Sequence, residues 1–172
     1  MGALAPSGRP LARAMATAAE LGGKRILEIG PGTGVITEAL LDAGAEPEQL
    51  SLLERDCRLA SNLASKFPDL KVITGDARFL EQILETEQPQ PFDIVFSSLP
   101  LLNMKKSEKH SILTQILALL DERGILIQYS YSARPPLSEN LTRELGITGM
   151  RAATVIRNLP PARVWKYSRP LN

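Results

Sequence analysis

The chain has 172 residues, of which 44% are hydrophobic, and a formal net charge of +1. This length suffices for one hydrophobic core, so we expect residues 1–172 to form a single domain. No apolar run approaches the ~18 residues that a membrane-spanning helix needs, and no signal peptide is evident. With one cysteine, Cys57, and one histidine, the sequence excludes an internal disulfide and a His/Cys metal cluster, and it favours a reducing cytoplasm. No metal site is expected.

Strand and helix patterns alternate along the chain. Continuous apolar and β-branched runs predict buried strands, and apolar residues at helical spacing predict helices. The predicted helices are Ser7–Glu20, Gly34–Ala43, Asp56–Phe67, Ala77–Glu85 and Ser107–Leu120. The predicted strands are Arg25–Gly30, Leu50–Glu54, Leu70–Thr74, Phe92–Ser97, Gly124–Tyr131, Thr154–Arg157 and Arg163–Tyr167. This order predicts an α/β fold with a doubly wound, Rossmann-like, seven-stranded and mostly parallel sheet that closes with an antiparallel C-terminal hairpin.

The first strand ends in a turn with glycines at every second position. Gly30, Gly32 and Gly34 let the backbone turn tightly and approach a ligand without a Cβ in the way. A dinucleotide fingerprint places its third glycine one residue later, at Val35 in this sequence. Glu28 precedes the first glycine by two residues, and the whole spacing resembles the first motif of S-adenosylmethionine (AdoMet) methyltransferases. A tight strand-to-helix turn without a ligand is the alternative.

Acids also end the next two predicted strands. Glu54 can accept both hydroxyls of a ribose, and Asp76 can accept from the adenine amine. Each acid alone is ordinarily a solvated group or a helix cap, but acids at three successive strand ends favour an AdoMet site. The resemblance implies the following cofactor-binding residues: Glu28, Gly30, Gly32, Thr33, Gly34, Glu54, Arg55, Asp76, Ala77 and Ser97.

The segment after the fourth predicted strand bears on the acceptor. Ser98-Leu99-Pro100-Leu101 resembles the Asn-Leu-Pro-aromatic motif of amino-methylating enzymes but keeps only its Leu-Pro. Ser98 replaces the amide or acid that holds a planar amine, and Leu101 replaces the aromatic ring on which a base stacks. The apolar residues between Leu99 and Met104 suit an acyl chain better than a base. We therefore expect adenine to be disfavoured as the acceptor.

Three segments together resemble the bacterial phospholipid N-methyltransferases: Ser97–Met104, Gln128–Ser132 and Arg157–Trp165. Ala5–Arg9 is also similar to them, and these enzymes are related in fold to the ribosomal RNA adenine dimethyltransferases. The resemblance implies stepwise methylation of phosphatidylethanolamine toward phosphatidylcholine, by a cytoplasmic enzyme peripheral to the inner face of the membrane. It implies a phospholipid substrate and an anionic membrane surface as partners, with no nucleic acid and no obligate protein partner.

Methyl transfer from a sulfonium to a neutral amine depends on positioning and on the exclusion of water more than on acid–base groups. Tyr129 and Tyr131 are candidate catalytic residues, because an aromatic ring can face an ammonium through a cation–π contact. The alternative is that both rings are core packing. Arg134 is a candidate ligand of the lipid phosphate, or else a solvated loop arginine, and Ser98 completes the candidate set. His110 is expected to face solvent on a helix.

Charge is unevenly distributed along the sequence. Residues 24–100 carry seven Lys or Arg and thirteen Asp or Glu, a net charge of −6, whereas residues 123–172 carry eight and two, a net charge of +6. A basic C-terminal third suits an anionic partner, either membrane phospholipid or nucleic acid, and a solvated hairpin is the alternative. Two other functions stay open: an RNA adenine N-methyltransferase, and a non-catalytic AdoMet-fold protein that binds a membrane or a partner.

Overall fold

A computed structural model of the chain describes residues 8–87 and 90–170. The predicted helix start at Ser7 and the Ala5–Ser7 part of the resemblance lie outside these residues. The strands are β1 (Ile26–Ile29), β2 (Leu50–Glu54), β3 (Lys71–Thr74), β4 (Phe92–Ser97), β5 (Leu120–Ser130), β6 (Thr148–Val155) and β7 (Ala162–Ser168). They form one seven-stranded sheet in the order β3-β2-β1-β4-β5-β7-β6, so the predicted doubly wound architecture is confirmed.

Helices cover both faces of this sheet. They are α1 (Arg9–Ala16), α2 (Val35–Asp42), α3 (Cys57–Lys66), α4 (Leu80–Glu87), α5 (Lys106–Leu119) and α6 (Glu139–Glu144). Leu11 of α1, Leu40 of α2 and Leu63 of α3 belong to one buried hydrophobic cluster. Leu84 of α4 and Leu113 of α5 belong to a second. Of the helices described, none is both long and apolar enough to span a membrane.

The central strands are buried on both faces, which explains their continuous apolar sequences. All four residues of β1 and all five of β2 are buried. Ile26 of β1 lies opposite Leu50 of β2 and Ile94 of β4, and both pairings are parallel. Because parallel strands end at the same edge of a sheet, the loops after β1, β2, β3 and β4 meet there.

The C-terminal hairpin is also confirmed, since β7 runs antiparallel to both β5 and β6. β6 begins at Thr148 rather than at the predicted Thr154, because this edge strand is mostly exposed and has no apolar run. β5 begins at Leu120 rather than at Gly124. The residues of β5 that follow Leu120, Asp121–Arg123, are charged and exposed, so they show no strand pattern in the sequence.

Three helical details differ from the prediction. Helix α1 ends at Ala16 rather than at the predicted Glu20. The predicted helix Ala77–Glu85 begins as a 3₁₀ turn, Ala77–Phe79, before α4 follows. Helix α6 was not predicted, because it is only six residues long and presents little periodicity. Ser138 caps the N-terminus of α6, and its Oγ accepts a hydrogen bond from the backbone N–H of Leu141 at 3.3 Å.

Candidate functional site

A cleft of about 330 Å³ opens at the edge where the parallel strands end. Its walls include Gly30 after β1, Glu54 at the end of β2, Asp76 after β3 and Ser98 after β4. These residues are far apart in the sequence and are brought together by the parallel pairing of their strands. We call this space the cofactor cleft.

The glycine turn after β1 depends on its glycines. Gly30, Gly32 and Gly34 have φ angles of +73°, +58° and +84°, a region that other residues rarely adopt. A Cβ on Gly34 would lie 2.7 Å from Cε2 of Phe67, so the turn packs closely against the end of α3. A Cβ on Gly32 would meet no atom within 4 Å. The backbone at Gly32 is therefore open to a ligand.

Glu54 joins the glycine turn to the start of α3. Its side chain is 7% exposed, and its Oε2 accepts from the Gly32 N–H at 3.1 Å while its Oε1 accepts from the Asp56 N–H at 2.9 Å. Each carboxylate oxygen keeps further acceptor capacity, and the residue lines the cleft. This geometry fits paired ribose hydroxyls, and the ribose role of Glu54 stays a prediction.

Glu28 is fully buried between β1 and α2 rather than on the cleft wall. Its Oε2 accepts from the Thr37 hydroxyl at 2.7 Å, and its Oε1 has no hydrogen-bond partner among the described residues. Burial raises the pKa of this carboxyl to about 7, the Thr37 hydrogen bond opposes the rise, and the nearby charge of Glu54 adds to it. The hydrogen bond between Glu28 and Thr37 therefore connects β1 to α2. The contact of Glu28 with the cofactor stays a prediction.

Asp76 already has a cationic partner in the cleft. Its Oδ2 lies 2.7 Å from Nη2 of Arg78, and its Oδ1 accepts from the Arg78 N–H at 2.9 Å. The side-chain hydrogen bond from Arg78 lowers the pKa of Asp76. Ala77 and the exposed Arg55 line the cleft beside it. An adenine amine at Asp76 would therefore share the carboxylate with the Arg78 guanidinium.

Thr33 and Ser97 lie off the cleft wall. Thr33 is exposed, and its carbonyl accepts from Lys66 Nζ at 3.3 Å. Ser97 is fully buried, and its Oγ accepts from the Leu99 N–H at 3.3 Å. Both residues shape the loops that border the cleft, and the Ser97 hydroxyl serves the protein's own backbone.

A second pocket, of about 200 Å³, lies next to the cofactor cleft. It is lined by residues 98–103, which follow β4, and by residues 129–132, at the end of β5. Ser98, Leu99 and Pro100 line both spaces. We call this second space the acceptor pocket, because a group bound there is separated from the cofactor cleft by one short loop.

Two tyrosines form an aromatic wall of the acceptor pocket. The rings of Tyr129 and Tyr131 meet edge to face, with centroids 5.5 Å apart and planes at 70°. Tyr129 is buried and Tyr131 half-buried, and burial raises the pKa of the Tyr131 hydroxyl. The aromatic ring that is missing at Leu101 is thus supplied from β5. Two aromatic residues therefore line the pocket even though its Leu-Pro loop has none.

Asn158 connects the Arg157–Trp165 segment to this wall. The side chain is 4% exposed, and its Nδ2 donates to the carbonyl of Pro160 at 2.9 Å. A Cβ on Gly8 would lie 2.5 Å from Asn158 Oδ1, so the segment packs against the start of α1. The Asn158 side chain also lies beside the Tyr131 hydroxyl, and it lowers the pKa that burial raises.

Gln128 is a candidate positioning residue to which the sequence assigns no role of its own within the Gln128–Ser132 segment. It is 1% exposed, and its Nε2 donates to the carbonyls of Leu99 at 2.9 Å and Tyr129 at 3.0 Å. Gln128 therefore connects Leu99, which lines both the cofactor cleft and the acceptor pocket, to β5, which carries Tyr129. The available signal was a lone amide in an apolar strand, opposite Ser97 in the sheet register.

Other candidates lie outside the pocket. Arg134 is exposed and is not one of the pocket-lining residues, and its backbone N–H donates to Ser132 Oγ at 3.0 Å. His110 lies on α5 and lines neither space. Within the described ranges, no group of three or more His, Cys, Asp or Glu could hold a metal ion.

Comparisons with known proteins agree on the class of this site. Residues 11–118 match the family described as ribosomal RNA adenine dimethylase. A probable ribosomal RNA small subunit methyltransferase A of Methanospirillum hungatei is 32% identical over 151 residues, which cover 83% of this chain and 54% of that protein. The ornithine lipid N-methyltransferase of Singulisphaera acidiphila is 29% identical over 140 residues, which cover 80% of this chain and 71% of that protein. The magnesium protoporphyrin IX methyltransferase of Synechocystis PCC 6803, solved with bound AdoMet, has a TM-score of 0.67 at 16% identity, over 92% of this chain and 76% of that chain.

These findings confirm the predicted class I methyltransferase fold and AdoMet as the cofactor. The acids and the open glycine turn of the cleft fit that cofactor. The expectation that nucleic acid is not a partner is wrong, because the matched family and the Methanospirillum relative are named for ribosomal RNA. The narrower resemblance to phospholipid N-methyltransferases is not confirmed, although one relative acts on a lipid. The chain belongs to the ribosomal RNA adenine dimethylase family of AdoMet-dependent methyltransferases.

Proposed function

We propose that this protein transfers a methyl group from AdoMet to the exocyclic amine of an adenine in RNA. The observation that carries the proposal is the wall of Ser98, Leu99 and Pro100 that the acceptor pocket shares with the cofactor cleft. When bound, AdoMet supplies a methyl group on a sulfonium, which needs no further activation by the protein. An amine held against this wall is close to the cofactor cleft, so positioning contributes most of the catalysis.

The acceptor pocket suits a base that has been flipped out of its stack. Tyr131 is half-buried on the pocket wall, and a base that stacks on such a ring gains about 1–3 kcal/mol. Ser98 and Asn103 add polar side chains for the Watson–Crick edge of the base. The lining of this pocket therefore favours adenine as the acceptor, although Ser98-Leu99-Pro100-Leu101 departs from the Asn-Leu-Pro-aromatic motif.

A second candidate acceptor is the amino group of a polar lipid headgroup. The exposed apolar side chains favour it: Leu102 at the pocket is 47% exposed, and Ile156 and Leu159 between β6 and β7 are 78% and 94% exposed. Surface side chains of this kind suit acyl chains better than nucleotides. The ornithine lipid N-methyltransferase among the relatives supports the same reading.

Tyr131 provides the test of the adenine proposal. The protein is incubated with AdoMet and an unmodified small-subunit ribosomal RNA transcript, and the digested nucleosides are analysed by mass spectrometry. We expect methylated adenosine with the parent protein and with Tyr131→Phe, which keeps the ring. Tyr131→Ala removes the stacking surface and should lower the rate about 10- to 100-fold without changing AdoMet affinity. Equal rates for Tyr131→Ala and the parent, or no methylated adenosine at all, would overturn the proposal.

A further inference from the structure

Charge separates around the two spaces of the site. The cofactor cleft is lined by the acids Glu54, Asp76 and Glu108, with Arg55 and Arg78 beside them. The residues that line the acceptor pocket include no acid. Residues 123–170, which supply its β5 wall and the hairpin, contain eight Lys or Arg and two Asp or Glu. The charge difference between the two parts of the sequence is therefore also a charge difference between the cofactor cleft and the acceptor pocket.

Arg163 belongs to β7 and lies beside the end of β5 that borders the acceptor pocket. It opposes Ser130 in the sheet register, and its Nη1 donates to the carbonyl of Ser132 at 3.3 Å. Ser132 lines the pocket. The Arg163 Nε is buried and has no hydrogen-bond partner within the described ranges. One guanidinium donor therefore stays unused beside the pocket.

Arg134 and Arg157 flank the same end of the sheet. The backbone N–H of Arg134 donates to the Oγ of the pocket residue Ser132, and the Arg134 side chain is exposed. Arg157 is exposed next to Asn158, whose side chain lies beside Tyr131. In the described part of the chain, no acid lies within ion-pair distance of Arg134, Arg157 or Arg163.

We propose that Arg134, Arg157 and Arg163 form a phosphate-binding arginine rim for the RNA backbone on either side of the methylated adenine. The proposal rests on the proposed function and adds the means by which the strand is held. Arginine forks match phosphate oxygens in a bidentate geometry, and such contacts position a strand without reading its sequence. A basic surface next to an aromatic ring is the combination that single-stranded nucleic acid binds, with phosphates on the cations and a base on the ring.

The test measures binding of a short fluorescent single-stranded RNA, centred on an adenine, by anisotropy over a series of salt concentrations and without AdoMet. Arg157→Ala and the double variant Arg134→Ala/Arg157→Ala are compared with Arg123→Ala, which removes one exposed arginine near the opposite end of β5. Each lost phosphate contact should reduce the slope of log K against log salt by about 0.7, so the double variant should lose about 1.4. Arg123→Ala should keep the parent slope.

Three results would overturn the arginine rim. The first is an unchanged slope in the double variant, and the second is an equal reduction in Arg123→Ala. The third is a rim-dependent affinity for anionic phospholipid vesicles without affinity for the RNA. Since the assay needs no turnover, rim-dependent RNA binding without methylated adenosine would refute the proposed reaction and leave the rim supported.

Discussion

Replacing Glu54 by alanine tests the cofactor cleft at its best-defined point. The carboxylate ends β2, is 7% exposed, and holds the N–H groups of Gly32 and Asp56 at 3.1 and 2.9 Å. If its remaining acceptor capacity binds the ribose hydroxyls, Glu54→Ala removes hydrogen bonds to a charged group. Such bonds contribute about 1.5–3 kcal/mol, which corresponds to AdoMet binding that is about 10- to 150-fold weaker.

Titration calorimetry with AdoMet measures this loss directly. Glu108→Ala is the matched control, because Glu108 lines the same cleft from α5. This substitution removes one negative charge from the cleft and leaves the hydrogen bonds of the glycine turn in place. Glu54→Gln keeps one acceptor oxygen and should fall between the parent and Glu54→Ala. Circular dichroism establishes that the variants are folded. Unchanged affinity in folded Glu54→Ala, or an equal loss in Glu108→Ala, would refute the placement of the ribose.

Three further predictions concern the turn, the buried carboxyl and the shared wall. Gly34→Ala places a Cβ at φ +84° and 2.7 Å from Phe67, so it should lower the free energy of unfolding by about 2–4 kcal/mol. Gly146→Ala is the control, because φ is +64° there and the space is open, and it should cost about 1 kcal/mol. Equal losses of the two variants in urea unfolding would contradict this prediction. Because the folded pKa of Glu28 is about 7 and its ordinary value 4.5, the folded state binds more protons between these values. The contribution of Glu28 to the free energy of unfolding is complete below pH 4.5 and is lost as the pH rises through 7. Denaturant titrations at several pH values should therefore show a free energy of unfolding that falls with pH in the parent and falls less in Glu28→Gln, and an equal fall in both would contradict this. Gln128→Met leaves the carbonyls of Leu99 and Tyr129 without their donor and should slow methyl transfer about tenfold with AdoMet affinity unchanged; a parallel loss of affinity would contradict the positioning role.

The sequence predicted which strand ends meet at the cofactor cleft, because local patterns determine them, and the cofactor contacts themselves stay predictions. Glycines at alternate positions after a buried run indicate a tight turn, and parallel strands bring their following acids to one edge. The structure accordingly places Gly30, Glu54 and Asp76 on one cleft. The pairing of Asp76 with Arg78 was not predicted, because a salt bridge two residues apart depends on the 3₁₀ turn that Asp76 caps.

The acceptor side could not be predicted to the same depth. From the sequence, the loss of an aromatic at Leu101 disfavours adenine, while Tyr129 and Tyr131 are candidate residues for an ammonium. That both tyrosines line the same pocket as Leu101 depends on the pairing of β4 with β5, which no local pattern predicts. Gln128 donates a hydrogen bond to the carbonyl of Leu99 in the loop after β4, and its lone amide in an apolar strand does not identify that partner. Asn158 lies in a proline-containing segment that reads as an exposed turn, and only the packing against Gly8 shows that it is buried.

We propose that the amine methylated by this protein belongs to an adenine in RNA. The most direct measurement offers the protein methyl-labelled AdoMet together with unmodified small-subunit ribosomal RNA and vesicles of an amino lipid in one mixture. Phase extraction then separates the two acceptors, and the label in each is counted. We expect label in the adenosine of the RNA fraction. Label confined to the lipid fraction, or none in the RNA while AdoMet is bound, would contradict it.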